Sequence, residues 1–494
     1  MSSSSHKTIL KSTSIIGGSQ VIKIIFNVIQ AKALAVLVGA EGVGLKSSLN
    51  SAVGLIKQIF GLGIGQSATR EVAKKEAGNN QKEIAETILS LRRLAIILGL
   101  AGTIAVIVLR KPLSQFTFGN NEYATEIALL SIVVFFQILS GSYLALIQGK
   151  RQIKRLGKIT ILGAFYSTLF SIPIVYFWGL KGIVPYLVAL SVAQFLTTYW
   201  FARKIKVLKI RLTLQHFLEN SQSIVKLGLA FMGGELAMVA SNYLIKVILI
   251  RHFDVDAVGF YQAANTLSIQ YMGLILGAMS KDFYPRLTSV ANKPKEAIKM
   301  INEQTEVGLI LALPGLLFTL GLAPWLITVF YTAEFAISAD ILQWMILGVA
   351  IRAILWPMAF IFVAKGKGHI FVTTRILSHG LRLGLTYFLI RYFDLIGTGM
   401  AFFFMYFVFL FVNYILIKRE IKFYWHWKVK KLITVYITLI TAAFFISLYL
   451  PKLESSIIIS VIAVITGIYS MKQVKQMLHL SSYKQLLNKF FGKK

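Results

Sequence analysis

Setting aside those at the extreme inner ends, eight basic residues lie inside stretches that are otherwise apolar enough to cross a membrane: Lys23, Lys32, Lys46, Lys57, Lys246, Arg352, Arg375 and Arg382. Both residue types bind phosphate, Arg through a planar fork and Lys as a point charge. At mid-bilayer a Lys or Arg costs about 2.5–3.5 kcal/mol on insertion scales, so eight facing lipid would cost roughly 20–28 kcal/mol. That exceeds a typical folding stability of about 5–15 kcal/mol. Most of the eight must therefore face protein or water. Their sign is informative. Only Glu235 is a carboxylate well inside such a stretch, whereas Glu41, Glu126, Asp256 and Asp340 fall near the ends. One acid cannot neutralise eight bases, so the counter-charge must come from outside the chain, and an anionic ligand is the economical source.

Helical spacing groups these residues. Steps of 4, 7 and 11 stay on one helix face. Ser19, Lys23, Asn27 and Gln30 form one stripe; Lys46, Asn50 and Lys57 a second; Glu235, Asn242 and Lys246 a third; Arg375, His379 and Arg382 a fourth. Gly348, Arg352 and Trp356 share a face, and Trp344 sits roughly 80° away from it. Polar stripes on several helices imply a shared aqueous cavity. The candidate substrate-binding set is thus Lys23, Lys57, Lys246, Arg352, Arg375, Arg382, Asn27, Asn50, Asn242, Lys32 and Lys46. Lys32, Lys46 and Arg375 lie near stretch ends, where snorkelling to the interface is an alternative. Lys32 also lies half a turn from the Lys23 stripe. Lys23, Lys57, Arg352 and Arg382 lie near the middle, where snorkelling is harder. Glu235 has two readings: pairing with a basic neighbour, or binding a coupling proton or sodium ion. His379 titrates near neutral pH when unperturbed and is a second coupling candidate. Trp356 is placed to stack on a sugar ring, although packing is the plainer role for both tryptophans.

The elements that carry these stripes are helices. The chain has 494 residues, is 56% hydrophobic and has a mean hydropathy of +0.70. Soluble domains run about 45–50% apolar. Fourteen stretches are long enough to span: 9–38, 44–69, 91–109, 123–147, 159–178, 182–201, 224–250, 257–280, 306–330, 341–364, 370–390, 397–417, 432–450 and 456–470. The second is Gly-rich (Gly54, Gly61, Gly63, Gly65). The last two are short and read as a loosely attached pair. Pro314, Pro324 and Pro357 are set to bend their helices. The polar start and long first stretch do not suit a cleavable signal peptide. With the N-terminus inside, the inner loops and termini carry 38 Lys or Arg and the outer loops 6. This bias places both termini in the cytoplasm. It also explains the net charge of +32 as contact with anionic lipid heads rather than nucleic acid. There are no cysteines, which excludes disulfides and thiolate chemistry. The seven histidines are scattered without metal-ligand spacing. The longest outer loop, 110–122, offers no acid–base pair, so an enzyme is not expected.

An internal repeat is visible. Residues 41–50, EGVGLKSSLN, align with 256–265, DAVGFYQAAN, at an offset of 215. Asn27 falls on Asn242 at the same offset, and Gly17-Gly18 fall on Gly233-Gly234 with one residue of slip. The copies start six stretches apart, so both lie the same way up, and a substrate site is expected between such parallel repeats.

The span number, the parallel halves and the basic cavity resemble the superfamily of multidrug and toxin extruders, lipid II flippases and polysaccharide flippases. The closer resemblance is to O-antigen and enterobacterial common antigen flippases, and it runs to about Arg419. It is carried by residues 19–23 (SQVIK), 31–36 (AKALAV), 39–45 (GAEGVGL), 61–65 (GLGIG), 69–73 (TREVA), 348–352 (GVAIR) and 364–367 (AKGK). Lys23, Lys32 and Arg352 fall where such flippases carry basic residues. The final pair of spans is a departure. The resemblance implies an all-α membrane protein of about 14 transmembrane helices, with two parallel six-helix halves around a central cavity, a MATE-like fold. The halves are 1–210 and 211–419, followed by a helix pair and basic tail at 420–494. It implies a bacterial inner-membrane flippase for oligosaccharide units on undecaprenyl pyrophosphate, working by alternating access. It implies no cofactor, coupling to H+ or Na+, and contact with membrane lipids, a polysaccharide polymerase and a chain-length regulator. A lipid II flippase and a multidrug exporter of the same fold are the alternatives. The exporter carries cations and is expected to show cavity carboxylates instead.

Overall fold

The computed structural model describes the backbone at residues 3–78, 80–208 and 210–491. Side chains are described over the same residues apart from 3–16, 77, 230, 231, 271, 274, 278, 281 and 477–491. The basic side chains expected at the two termini therefore lie largely outside the described residues. All regular structure among the described residues is helical. The chain divides into two compact units.

The first unit is Met1–Gln262 with Val329–Phe335 and Val372–Leu383. It holds α1 (Ser3–Phe60), α2 (Ile64–Ala77), α3 (Gln81–Val108), α4 (Arg110–Phe118), α5 (Ala124–Gly149), α6 (Ile153–Trp178), α7 (Ile183–Arg203), α8 (Leu214–His252) and the start of α9 (Val255–Val290). The first two predicted spans form one helix, α1, bent at Gly39, whose φ of 60° and ψ of −161° suit only glycine. The second span ends at Phe60, earlier than its hydropathy suggests. Gly61 to Gly63 break the helix there, Gly63 taking φ 63°, and α2 restarts at Ile64. Asn80 caps α3 by accepting from the backbone N–H groups of Lys82 and Glu83.

The repeat has a structural counterpart inside this unit. A Cβ on Gly44 would lie 2.0 Å from the Val255 carbonyl, and a Cβ on Gly259 would lie 2.1 Å from the Ala40 carbonyl. Gly44 and Gly259 are repeat mates, and so are Ala40 and Val255. Ser47 and Gln262, also mates, join directly, the Ser47 hydroxyl donating to Gln262 Oε1 at 2.7 Å. The two copies thus cross reciprocally, as a local two-fold relation requires, and only glycine allows so close an approach.

The second unit is Ala263–Thr328, Ala336–Phe371 and Gly384–Lys494. It contains the remainder of α9, α10 (Pro294–Gly321), most of α11 (Ala323–Phe330), α12 (Ile337–Ala364), both ends of α13 (Gly368–Phe393), α14 (Ile396–Ile421), α15 (Trp427–Tyr449) and α16 (Lys452–Phe491). α12 packs along α14, with Gly348 against Phe402 and Gly399 against the Ile341 carbonyl and Trp344. The last two helices are not loosely attached. α16 runs against α10, with Ile459 closing on Gly321. The Ser456 hydroxyl donates to the Gly321 carbonyl at 2.8 Å, and Ser470 to the Ile310 carbonyl at 2.7 Å. The Trp325 indole donates to Ser456 at 3.1 Å. These bonds use small hydroxyl side chains that barely alter hydropathy, so they leave little mark in the sequence pattern.

Ten helical segments among the described residues are long and apolar enough to cross a membrane. Two of them, Gly17–Phe60 and Ile153–Arg203, each hold two predicted spans. The remaining two predicted spans fall on α9 and α13, which have 36 and 26 residues. α13 carries Arg375, His379, Arg382 and Arg391, and this is the polarity that keeps it out of the ten. The protein is a multi-pass membrane protein.

Candidate functional site

The first unit brings together most of the predicted polar stripes. α8 carries Glu235, Asn242 and Lys246. Lys246 is 7% exposed, and its Nζ donates to the Ser47 carbonyl at 3.0 Å and the Ser51 hydroxyl at 2.6 Å on α1. Its hydrogen bonds are thus supplied by neutral groups. Arg382, on α13, is 5% exposed, and its Nη2 donates to the hydroxyl of buried Tyr261 at 2.8 Å. One turn earlier the His379 carbonyl accepts from Ser241 of α8 at 3.4 Å. Arg375 lies half-buried beside Gly234, its Nη2 3.9 Å from the Met238 sulfur. The α13 stripe therefore lies along α8, the helix that carries Glu235 and Lys246.

On α1, Lys46 lies over the Tyr186 ring at 5.8 Å, and Gln30 donates to the Ser167 carbonyl at 3.0 Å. Lys32 donates to the Tyr331 carbonyl. Lys23 and Asn50 are exposed, and Asn27 and Asn242 are half-buried. In the second unit Arg352 is half-buried. Trp356 packs on Phe283 and Phe360 at 5.7 and 4.7 Å. Trp344 packs on Phe444 at 4.8 Å. Both tryptophans thus serve packing. Among the described residues Lys23, Lys46, Lys57, Lys246 and Arg352 have no carboxylate within ion-pair distance, whereas ion pairs such as Lys150–Glu76 form at the loops.

A cleft of about 280 Å³ opens between the end of α1, α2, α5 and α8. Its wall includes Lys57, Gln58, Gln66, Gln137, Gln148 and Glu235, together with the glycine break. Glu235 does not meet a base there: Gln66 Nε2 donates to its Oε1 at 2.5 Å. Thr69 donates to Gln148 Oε1 at 3.3 Å. Gln58 Nε2 is buried with no hydrogen-bond partner among the described residues. The close approach of α2 to α8 that shapes this wall depends on Gly63 and Gly228, whose backbones touch. The arrangement presents one cation, one anion and several amides to a polar ligand. Among the described residues no group of three or more His, Asp or Glu could hold a metal ion.

Residues 16–340 match the family described as polysaccharide biosynthesis protein. The chain belongs to that family. Among curated proteins it is similar to the lipid III flippases of Escherichia coli (strain K12) and Shigella flexneri, each 21% identical over 399 residues, covering 78% of this chain and 92% of the relative. Among solved structures it is similar to the lipid II flippase MurJ in an inward closed conformation, with TM-score 0.73, 14% identity and coverage of 95% of this chain and 99% of that one. An inward-facing MATE-family multidrug resistance transporter of the MOP superfamily gives TM-score 0.69, 17% identity and coverage of 83% and 96%. The fold of this polysaccharide biosynthesis protein is therefore the MATE-like fold expected from its sequence. An alignment that covers 95% of the chain cannot omit both α15 and α16, so at least part of the C-terminal pair has a counterpart within that fold.

Sequence reasoning missed the amides of this family member. Gln137, Gly141, Leu144 and Gln148 recur at steps of 4, 7 and 11 along α5 and all line the cleft. The periodicity rule that grouped the charged stripes would have found them had it been applied to uncharged polar residues.

Proposed function

We propose that this protein flips undecaprenyl-pyrophosphate-linked oligosaccharide repeat units from the inner to the outer leaflet of the bacterial cytoplasmic membrane by alternating access. One observation carries the reading: among the described residues, in-span cations such as Lys57, Lys246 and Arg352 have no carboxylate in ion-pair distance, which leaves positive charge for an anionic substrate. Membership of a polysaccharide biosynthesis family and likeness to lipid III flippases support the same substrate class. In this reading residues 1–210 and 211–419 act as the two moving bundles, 420–494 adds the helix pair and basic tail, and both termini face the cytoplasm. Glu235, held by an amide rather than a base, is the carboxylate for proton or sodium coupling, with His379 beside the α13 arginines as the second candidate. A polymerase and a chain-length regulator would take the flipped unit. Deleting the gene and complementing it with wild type, Arg352→Ala or Arg382→Ala tests the proposal. Wild type restores surface polysaccharide, and the variants fail at normal protein level. Full activity in both variants would remove the cavity argument.

A second reading, a lipid II flippase, is favoured by the counterpart that at least part of the C-terminal pair has in that fold. Rescue of a strain depleted of its lipid II flippase would select it over the first.

A further inference from the structure

We infer that the cleft between α1, α2, α5 and α8 is a saccharide subsite that holds the sugar next to the pyrophosphate while the substrate loads from the cytoplasmic side. The inference rests on the flippase reading above and adds which part of the substrate this cleft takes.

Four features carry it. The first is the wall chemistry. Gln58, Gln66, Gln137 and Gln148 each offer a donor and an acceptor, the mixed pattern that sugar hydroxyl and acetamido groups require. Glu235 adds a strong acceptor. A phosphate-only site would need donors alone, and a cluster of amides would be misplaced there. The second is availability. Gln58 Nε2 is buried without a hydrogen-bond partner among the described residues, and leaving a buried donor unmade is costly unless a ligand supplies the acceptor. The third is the single cation. Lys57 stands at the edge of the amide wall with no acid in ion-pair distance among the described residues, so a phosphate at Lys57 would set the attached sugar against the glutamines. The fourth is place and size. Gln148 and Lys57 are near the ends of α5 and α1, next to the Lys- and Arg-rich loops that by the charge bias face the cytoplasm. At about 280 Å³ the cleft lies at the lower edge of the range for small-molecule sites, about 300–1,000 Å³. It has room for part of a glycan and not for a whole repeat unit.

The glycine break shapes the same wall. Gly61 and Gly63 are glycines because their backbones press against the Lys57 and Gly228 carbonyls, and Gly65 leaves the wall beside Gln66 open.

The test uses the purified full-length protein with two probes. One is farnesyl pyrophosphate, which carries the pyrophosphate without sugar. The other is the lipid-linked glycan extracted from the host membrane. Binding is followed by thermal shift for wild type and for Gln137→Leu/Gln148→Leu. Wild type is expected to bind the glycosylated lipid at least tenfold more tightly than farnesyl pyrophosphate. The double variant is expected to lose that advantage while farnesyl pyrophosphate still binds, which also reports that the variant is folded. If the double variant kept the full advantage, or if wild type showed none, the subsite would be refuted and the flippase reading would stand. If wild type bound neither probe, both would fall. A Gln58→Leu variant gives the second readout: it relieves the unpaired donor, so it should raise the melting temperature of the unliganded protein and reduce the sugar advantage.

Discussion

Charges at the loops and charges in the spans are treated differently by this chain. In the second unit Glu420 accepts from Lys365 and Lys367, both at 2.7 Å. Lys428 likewise meets Glu306 at 2.6 Å, and in the first unit Lys150 meets Glu76 at 2.9 Å. These pairs sit in or beside the basic loops. Inside the spans of the first unit the pattern changes. Lys246 is buried more deeply than any of them, yet it is satisfied by a carbonyl and a hydroxyl. Lys57 borders a cleft whose one carboxylate is held by an amide. Loop charges are thus balanced by the chain itself, whereas the buried span cation Lys246 is met by neutral groups. A protein built only for stability would do the reverse, because an uncompensated charge costs most where the dielectric is lowest. Under the proposed function, the difference leaves positive charge for an anionic substrate.

The sharpest way to break this comparison is at the arginines. Arg382→Ala and Arg352→Ala should abolish surface polysaccharide at normal protein level, measured by gel and by lectin or antibody staining of whole cells. Tyr261→Phe, which removes only the bond to Arg382, should retain most of the activity. Next comes Lys57. Replacing it with Ala removes a charge-assisted contact of about 1.5–3 kcal/mol, so transport in reconstituted vesicles should fall about tenfold to a hundredfold, and Lys57→Arg should recover part of it. Lys246→Met separates stability from function. Removing a buried charge that has no acid partner should leave the melting temperature unchanged or raised, while transport falls at least tenfold. A lowered melting temperature would make Lys246 a structural residue. The smallest effect belongs to the loops. Glu420→Gln should cost about 1–3 kcal/mol of stability at low salt. The Lys367 arm contributes least of this, being 43% exposed and screened, and the transport rate should not change.

Much of the fold was legible because hydropathy reports burial in lipid directly. The fourteen apolar stretches correspond to helices, and the 41–50/256–265 repeat reappears as the reciprocal Gly44 and Gly259 crossing. The kink at Gly39 was hidden because a glycine between two apolar runs reads as a short loop as readily as a bend. The docking of α16 on α10 was hidden because Ser456 and Ser470 carry no strong signal of their own. At the site, residue type and 3.6-residue spacing grouped Glu235 with Lys246, and Arg375 with His379 and Arg382, on shared helix faces. They could not name partners. Lys246 meets Ser47 across 199 residues, and Lys32 meets Tyr331 across 299, pairings that only the folded chain creates. The α5 amides escaped for a different reason: an uncharged glutamine carries a smaller insertion penalty than Lys or Arg, so it does not announce itself as an anomaly.

The most direct test of the unneutralised span charge is to titrate the purified protein with farnesyl pyrophosphate and with farnesol, which share the chain and differ only in the anionic head. The account predicts that the pyrophosphate binds at least tenfold more tightly, that rising salt erodes the difference, and that Lys57→Ala and Arg352→Ala each reduce it. Equal binding of the two lipids by wild type would contradict it.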